Sequence, residues 1–99
     1  MADTRVTVVA RIKAKPGMEA RVREELHKLL VPTRTEAGCL NFDMHQSLDN
    51  EGDFLFHENW NSKQDLERHF QSPHIQRWLK ISDELCAAPV EIGLWKQVG

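Results

Sequence analysis

Two short segments with two-residue alternation, joined by a polar turn, limit the folds open to this chain. Leu40, Phe42 and Met44 alternate with Asn41, Asp43 and His45. The stretch "FLFHENW", 54–60, alternates likewise, with Phe54, Phe56, Glu58 and Trp60 on one side. Between them lies "LDNEGD", Leu48 to Asp53, rich in the Asp, Asn and Gly that turn a chain. A connection this short joins neighbouring strands in the antiparallel sense, because parallel strands need a crossover of a dozen residues or more. The alternation also requires other elements to cover one face of the pair.

The flanking segments supply that cover. Arg5 to Ala14 alternate, with Val6, Val8, Ala10 and Ile12 on one face, and predict a first strand that "KPG" at 15–17 breaks. From Met18 the spacing becomes helical, with Val22, Leu26, Leu29 and Leu30 on one stripe. Pro32 is expected to kink or end that helix, and Gly38 to stop any further turn. After the hairpin, Ser62 followed by Asp65 predicts a helix start, with Leu66, His69 and Phe70 on one face. "SPH" at 72–74 predicts a second start with proline in the first helical position. Ile75, Trp78, Leu79, Ser82 and Leu85 form the next stripe, Pro89 ends it, and Val90 to Val98 read as a last strand.

The resulting order is β-α-β-β-α-α-β. It predicts an α+β fold over residues 1–99: a ferredoxin-like split β-α-β, with an antiparallel sheet and helices on one face. Val9, Leu55 and Leu94 would lie on the other face. Apolar groups there predict a homodimer that packs sheet against sheet.

Composition narrows the function classes. A formal net charge of −2 lacks the basic footprint of a nucleic-acid binder. No apolar run approaches the roughly 20 residues of a membrane span. The start "MADTRVTVV" lacks a basic segment followed by an apolar core, so the expected location is cytoplasmic. The two cysteines, Cys39 and Cys86, have no CxxC spacing, which suits free thiols and no zinc-finger site. No glycine-rich loop follows a strand, so no nucleotide cofactor is expected. The expectation is no cofactor and no metal.

Glu58 is the residue that asks for an explanation, because the face it shares with Phe56 and Trp60 should be core. If that face and the Leu66–His69–Phe70 face meet between sheet and helices, Glu58 and His69 are candidates to touch. A carboxylate beside a histidine holds its tautomer and makes it a better base. His74, at the next helix start, would add a second imidazole. Spacing alone leaves the pair equally open to being a satisfied buried hydrogen bond without chemistry. Trp60 and Trp78 read first as core, and Cys39 as a small buried thiol. "RVREE" reads as a solvated helix face, as do Arg77 and Lys80. His27, His45 and His57 read as surface or interface groups.

"KAKPG" after the first strand, "EAGCLNFDMHQS", "FHENWNS" and "HFQSPHIQRW", in that order and over nearly the whole chain, resemble the antibiotic biosynthesis monooxygenase family, which includes small quinol monooxygenases. The resemblance implies a dimeric α+β barrel with a pocket in each subunit. It also implies cofactor-free oxidation of an electron-rich aromatic, such as a hydroquinone or anthrone, by O₂. His69 would be the base, Glu58 its partner, Phe42, Phe56 and Trp60 the walls, and His74 or an amide the oxyanion donor. Many relatives carry tyrosine where Phe42 stands. Haem-degrading relatives use an asparagine on the first strand, and "RVTVVARIKA" has none, which argues against haem cleavage. A branch that isomerises a phosphorylated signalling-sugar derivative shares the "E…H…PH" pattern, so an acid–base isomerase stays open, as does a non-catalytic module that binds a small ligand.

Overall fold

A computed structural model describes residues 3–99. The strand β1 (Val6–Lys13) leads into helices α1 (Glu19–His27) and α2 (Leu30–Arg34). The hairpin β2 (Cys39–Gln46) and β3 (Asp53–Trp60) follows, then α3 (Lys63–Phe70), α4 (Pro73–Leu85) and β4 (Glu91–Trp95). All pairings are antiparallel and the sheet order is β2-β3-β1-β4. This is the split β-α-β arrangement expected from the pattern. The core lies between one sheet face and the helices. Val8, Ala10 and Ile12 of β1 and Phe54, Phe56 and Trp60 of β3 meet Val22 and Leu26 of α1, Leu66 of α3 and Trp78 of α4 there.

Local chemistry explains the boundaries. The Ser62 hydroxyl accepts from the Asp65 amide at 3.1 Å, so α3 starts where its cap predicts. Ser72 precedes Pro73, the first residue of α4, but its hydroxyl donates to the His69 carbonyl at 2.6 Å instead of capping. Pro32 does not end a helix. The break falls at Lys28–Leu29, and Pro32 sits in the first turn of α2, where its missing N–H costs nothing. The last strand is shorter than expected, Glu91–Trp95 rather than residues 90–98.

Two further expectations fail for identifiable reasons. Leu40 was expected inward with Phe42 and Met44. An irregularity between Cys39 and Asn41 in the pairing to β3 turns it out, and it is 53% exposed. The "RVREE" segment was expected to be solvated throughout, yet Glu25 is buried. Its carboxylate accepts from Arg77 of α4 at 2.8 Å and from Lys28 at 3.1 Å. The Arg77 guanidinium holds the Glu25 carboxyl down at about 2. The pair ties α1 to α4 and accounts for Arg77 as well.

The far sheet face is mixed. Val9 and Leu55 are half-buried there, beside a polar ladder in which Thr7 donates to Asn59 at 2.6 Å and Asn59 to Asn41 at 2.8 Å. Leu94 does not join them: it stands opposite the inward Val8 in the β1–β4 register, on the helix side, and is half-exposed. Among the described residues no helix is long and apolar enough to cross a membrane.

Candidate active site

A cavity of about 80 Å³ lies between sheet and helices. Phe42, Phe56, Phe70 and Trp78 supply its aromatic walls, and Glu58 and His69 are its ionisable groups. Leu79 and Ile92, each roughly half-exposed, stand at its rim. The Phe42 and Phe56 rings stack at 4.5 Å, as neighbouring inward positions of the β2–β3 ladder allow. A larger cleft of about 190 Å³ at the β1–β3 end is lined by Arg11, Lys13, Asp53 and Glu91, charged groups of both signs that offer no base in apolar surroundings.

His69 is buried on α3. Its Nδ1 lies 2.7 Å from Oε2 of Glu36, and the same oxygen lies 3.0 Å from Nε2 of His74. A carboxylate only accepts, so both imidazoles donate to it. Nδ1 of His69 therefore carries the hydrogen, and Nε2 keeps its lone pair. The ring packs 4.5 Å from Trp60, 5.6 Å from Phe42 and 5.7 Å from Phe70. Burial pushes the His69 pKa down, the Glu36 hydrogen bond works against it, and the imidazole is neutral at pH 7.

Glu58 does not pair with His69. Its Oε1 accepts from the Trp60 indole N–H at 2.9 Å, two residues along the same strand face. Burial pushes its carboxyl up to about 7, with Glu36 adding to the rise and the Trp60 bond opposing it. The expected dyad is thus corrected: Glu36 holds His69, and Trp60 holds Glu58. The other expected residues divide. Phe42 and Phe56 do line the cavity. Trp60 is fully buried behind it, and His74 lies beyond Glu36 at 20% side-chain exposure.

Glu36 is the residue that sequence reasoning missed. It stands in the α2–β2 connection, two residues before Gly38, and nothing in its spacing separates it from a surface glutamate. The signal was the glycine. Gly38 has φ 82°, and a Cβ there would overlap the Asp65 carboxyl at the start of α3. The Asn61 amide also donates to the Gly38 carbonyl at 2.8 Å. The connection lies flat on the entrance to α3, which brings Glu36 to His69 and His74. The three side chains present donor atoms within 4.8 Å of one another.

The model of the antibiotic biosynthesis monooxygenase family matches residues 5–81. Rv0793 of Mycobacterium tuberculosis, provisionally named a monooxygenase, is 32% identical over 88% of this chain and 85% of its own. An uncharacterized Synechocystis protein, sll1783, is 30% identical over 96% of this chain, which spans 65% of that relative's length. The crystal structure of PA3566 from Pseudomonas aeruginosa superposes with a TM-score of 0.92 at 33% identity, covering 97% of this chain and 96% of its own. The chain belongs to the antibiotic biosynthesis monooxygenase family.

Proposed function

We propose that this protein is a cofactor-independent monooxygenase of a small electron-rich aromatic, quinol-like or anthrone-like, with His69 as general base and Glu36 as its positioning residue. The observation that carries this reading is the Glu36-held His69 ring beside an aromatic-walled cavity. Nε2 takes a phenolic or benzylic proton from the substrate. The anion so formed is electron-rich enough to reduce O₂ directly, which removes the need for a flavin. The substrate supplies all the electrons. Its product gains one oxygen and loses two hydrogens, and the second oxygen of O₂ leaves as water.

The walls and the second carboxyl support the same chemistry. Phe42 and Phe56 offer flat apolar surfaces to a ring. Glu58, with its pKa near 7, can donate a hydrogen bond in its protonated form to a developing oxyanion. The cavity is smaller than the roughly 150 Å³ that takes a benzene ring. A substrate therefore enters as Leu79 and Ile92 move apart. The apolar Val9 and Leu55, half-buried on the far sheet face, fit a homodimer contact.

One observation favours a second reading. Glu58 and His69 are two proton carriers on one cavity, the equipment of an acid–base isomerase. Oxygen uptake separates the two. Chelator-treated protein is placed in an oxygen electrode with a panel of hydroquinones, hydroxylated naphthalenes and anthrones, beside His69→Gln with its fold checked by circular dichroism. Uptake above autoxidation that His69→Gln abolishes is expected. Substrate proton exchange without uptake would point to the isomerase.

A further inference from the structure

We propose that Glu36, His69 and His74 form a binding site for one divalent transition-metal ion of the Zn²⁺ or Co²⁺ kind, ligated by the Glu36 carboxylate, Nδ1 of His69 and Nε2 of His74. The three donor atoms converge on one point from three separate segments: the α2–β2 connection, the last turn of α3 and the first turn of α4. Two imidazoles and one carboxylate suit borderline-soft ions, whereas Ca²⁺ and Mg²⁺ take oxygen ligands. Zinc-to-ligand distances of about 2.0–2.2 Å in a tetrahedron set ligands about 3.3 Å apart. The observed separations of 2.7 and 3.0 Å to the shared Glu36 oxygen need to widen by about 0.6 and 0.3 Å, and the two imidazole nitrogens already lie within 4.8 Å of one another.

Accessibility and support also fit. His69 is buried, but the side chains of Glu36 and His74 are 17% and 20% exposed, so an ion has a route in and a position left for water. The Ser72 hydroxyl, 3.3 Å from Nε2 of His74, stands beside that position. Among the described residues no other three His, Cys, Asp or Glu side chains converge in this way. Glu25, a buried carboxylate with several partners, is already neutralised by cations.

Ligation has a consequence for the ring. A metal on Nδ1 takes the place of its hydrogen, so the neutral ring must carry its proton on Nε2. The metal-loaded protein then has no lone pair for proton abstraction. This consequence rests on the proposed function; the binding itself does not, since it needs no substrate.

The test titrates chelator-treated, tag-free protein with Co²⁺, read by its d–d absorption, and with Zn²⁺, read by competition with a chromophoric chelator. One ion per chain is expected. Loss of an outer-shell partner costs about 10- to 100-fold in affinity. Loss of a ligand, in His74→Ala or Glu36→Gln, should weaken binding by at least about tenfold, while His45→Ala leaves it unchanged. Circular dichroism of both variants separates ligand loss from unfolding. No binding at millimolar metal, or equal binding by wild type and both folded ligand variants, would overturn the proposal. A failure of oxygen uptake does not touch this titration, so the two readings stand or fall separately.

Discussion

Nδ1 of His69 lies 2.7 Å from Oε2 of Glu36, a residue 33 positions earlier in the chain. This contact fixes which ring nitrogen is basic. Glu36→Gln removes the charge and lets an amide N–H face Nδ1, which favours the opposite tautomer. The expected outcome is a fall of about 10²-fold in kcat/KM for oxygen uptake. The melting temperature should change little, because Glu36 is partly exposed. Steady-state rates and a thermal melt on the same sample check both halves.

Glu58 makes stability depend on pH in an unusual direction. Its folded pKa is raised to about 7 from an ordinary 4.5. The folded state therefore binds this proton more tightly than the unfolded state. The contribution is fully present below pH 4.5 and is lost as pH rises through 7, to a total of about 3 kcal/mol. Glu58→Gln keeps an acceptor for Trp60 and never ionises. It should equal wild type near pH 4.5 and exceed it in stability at pH 8. Urea midpoints across that range decide the matter.

Glu25 gives the opposite slope at acid pH. Its carboxyl is lowered to about 2, chiefly by Arg77. The stabilisation is present above pH 4.5 and fades as pH falls through 2. Arg77→Met should flatten this acid limb while leaving the slope between pH 5 and 7 intact. Melts at pH 2.5, 3.5 and 4.5 would show it.

Cys39 should be a slow thiol. Burial, with Glu36 and Glu58 nearby, pushes its pKa up to about 11 from an ordinary 9. Two units leave about 100-fold less thiolate at pH 8 than in a free cysteine. Mass-resolved iodoacetamide labelling of the native protein should find Cys39 at least that much slower than glutathione. Labelling at the free-thiol rate would contradict the placement.

Thr33 is fully buried in α2, and its hydroxyl has no hydrogen-bond partner. Thr33→Val replaces that hydroxyl by a methyl of similar size. Relief of a buried unsatisfied group should raise stability by about 1 kcal/mol. Chemical denaturation with an unchanged m-value would check it.

What was legible in the chain was local. The hairpin follows from alternation and a polar turn, and the Ser62 cap from a three-residue spacing. The inward positions of Phe42, Phe56 and Glu58 follow from the two-residue period. What was not legible depends on partners distant in sequence. Glu25 reads as surface until Arg77, 52 residues on, reaches it. Leu40 reads as core until a one-residue irregularity turns it outward. His69 was legible as a candidate base, but its carboxylate was not. Glu58 lay on a predicted face, whereas Glu36 lay in a connection whose path only the folded chain reveals.

Gly38 sets the tolerance of the whole site to divergence. Its missing side chain is the clearance between the α2–β2 connection and the entrance to α3. A descendant of this chain can exchange Glu36, His69 or His74 singly and lose one donor. A descendant that acquires any side chain at position 38 wedges the two segments apart and loses the alignment of all three together. The most consequential position of the site is therefore one that offers it no functional group.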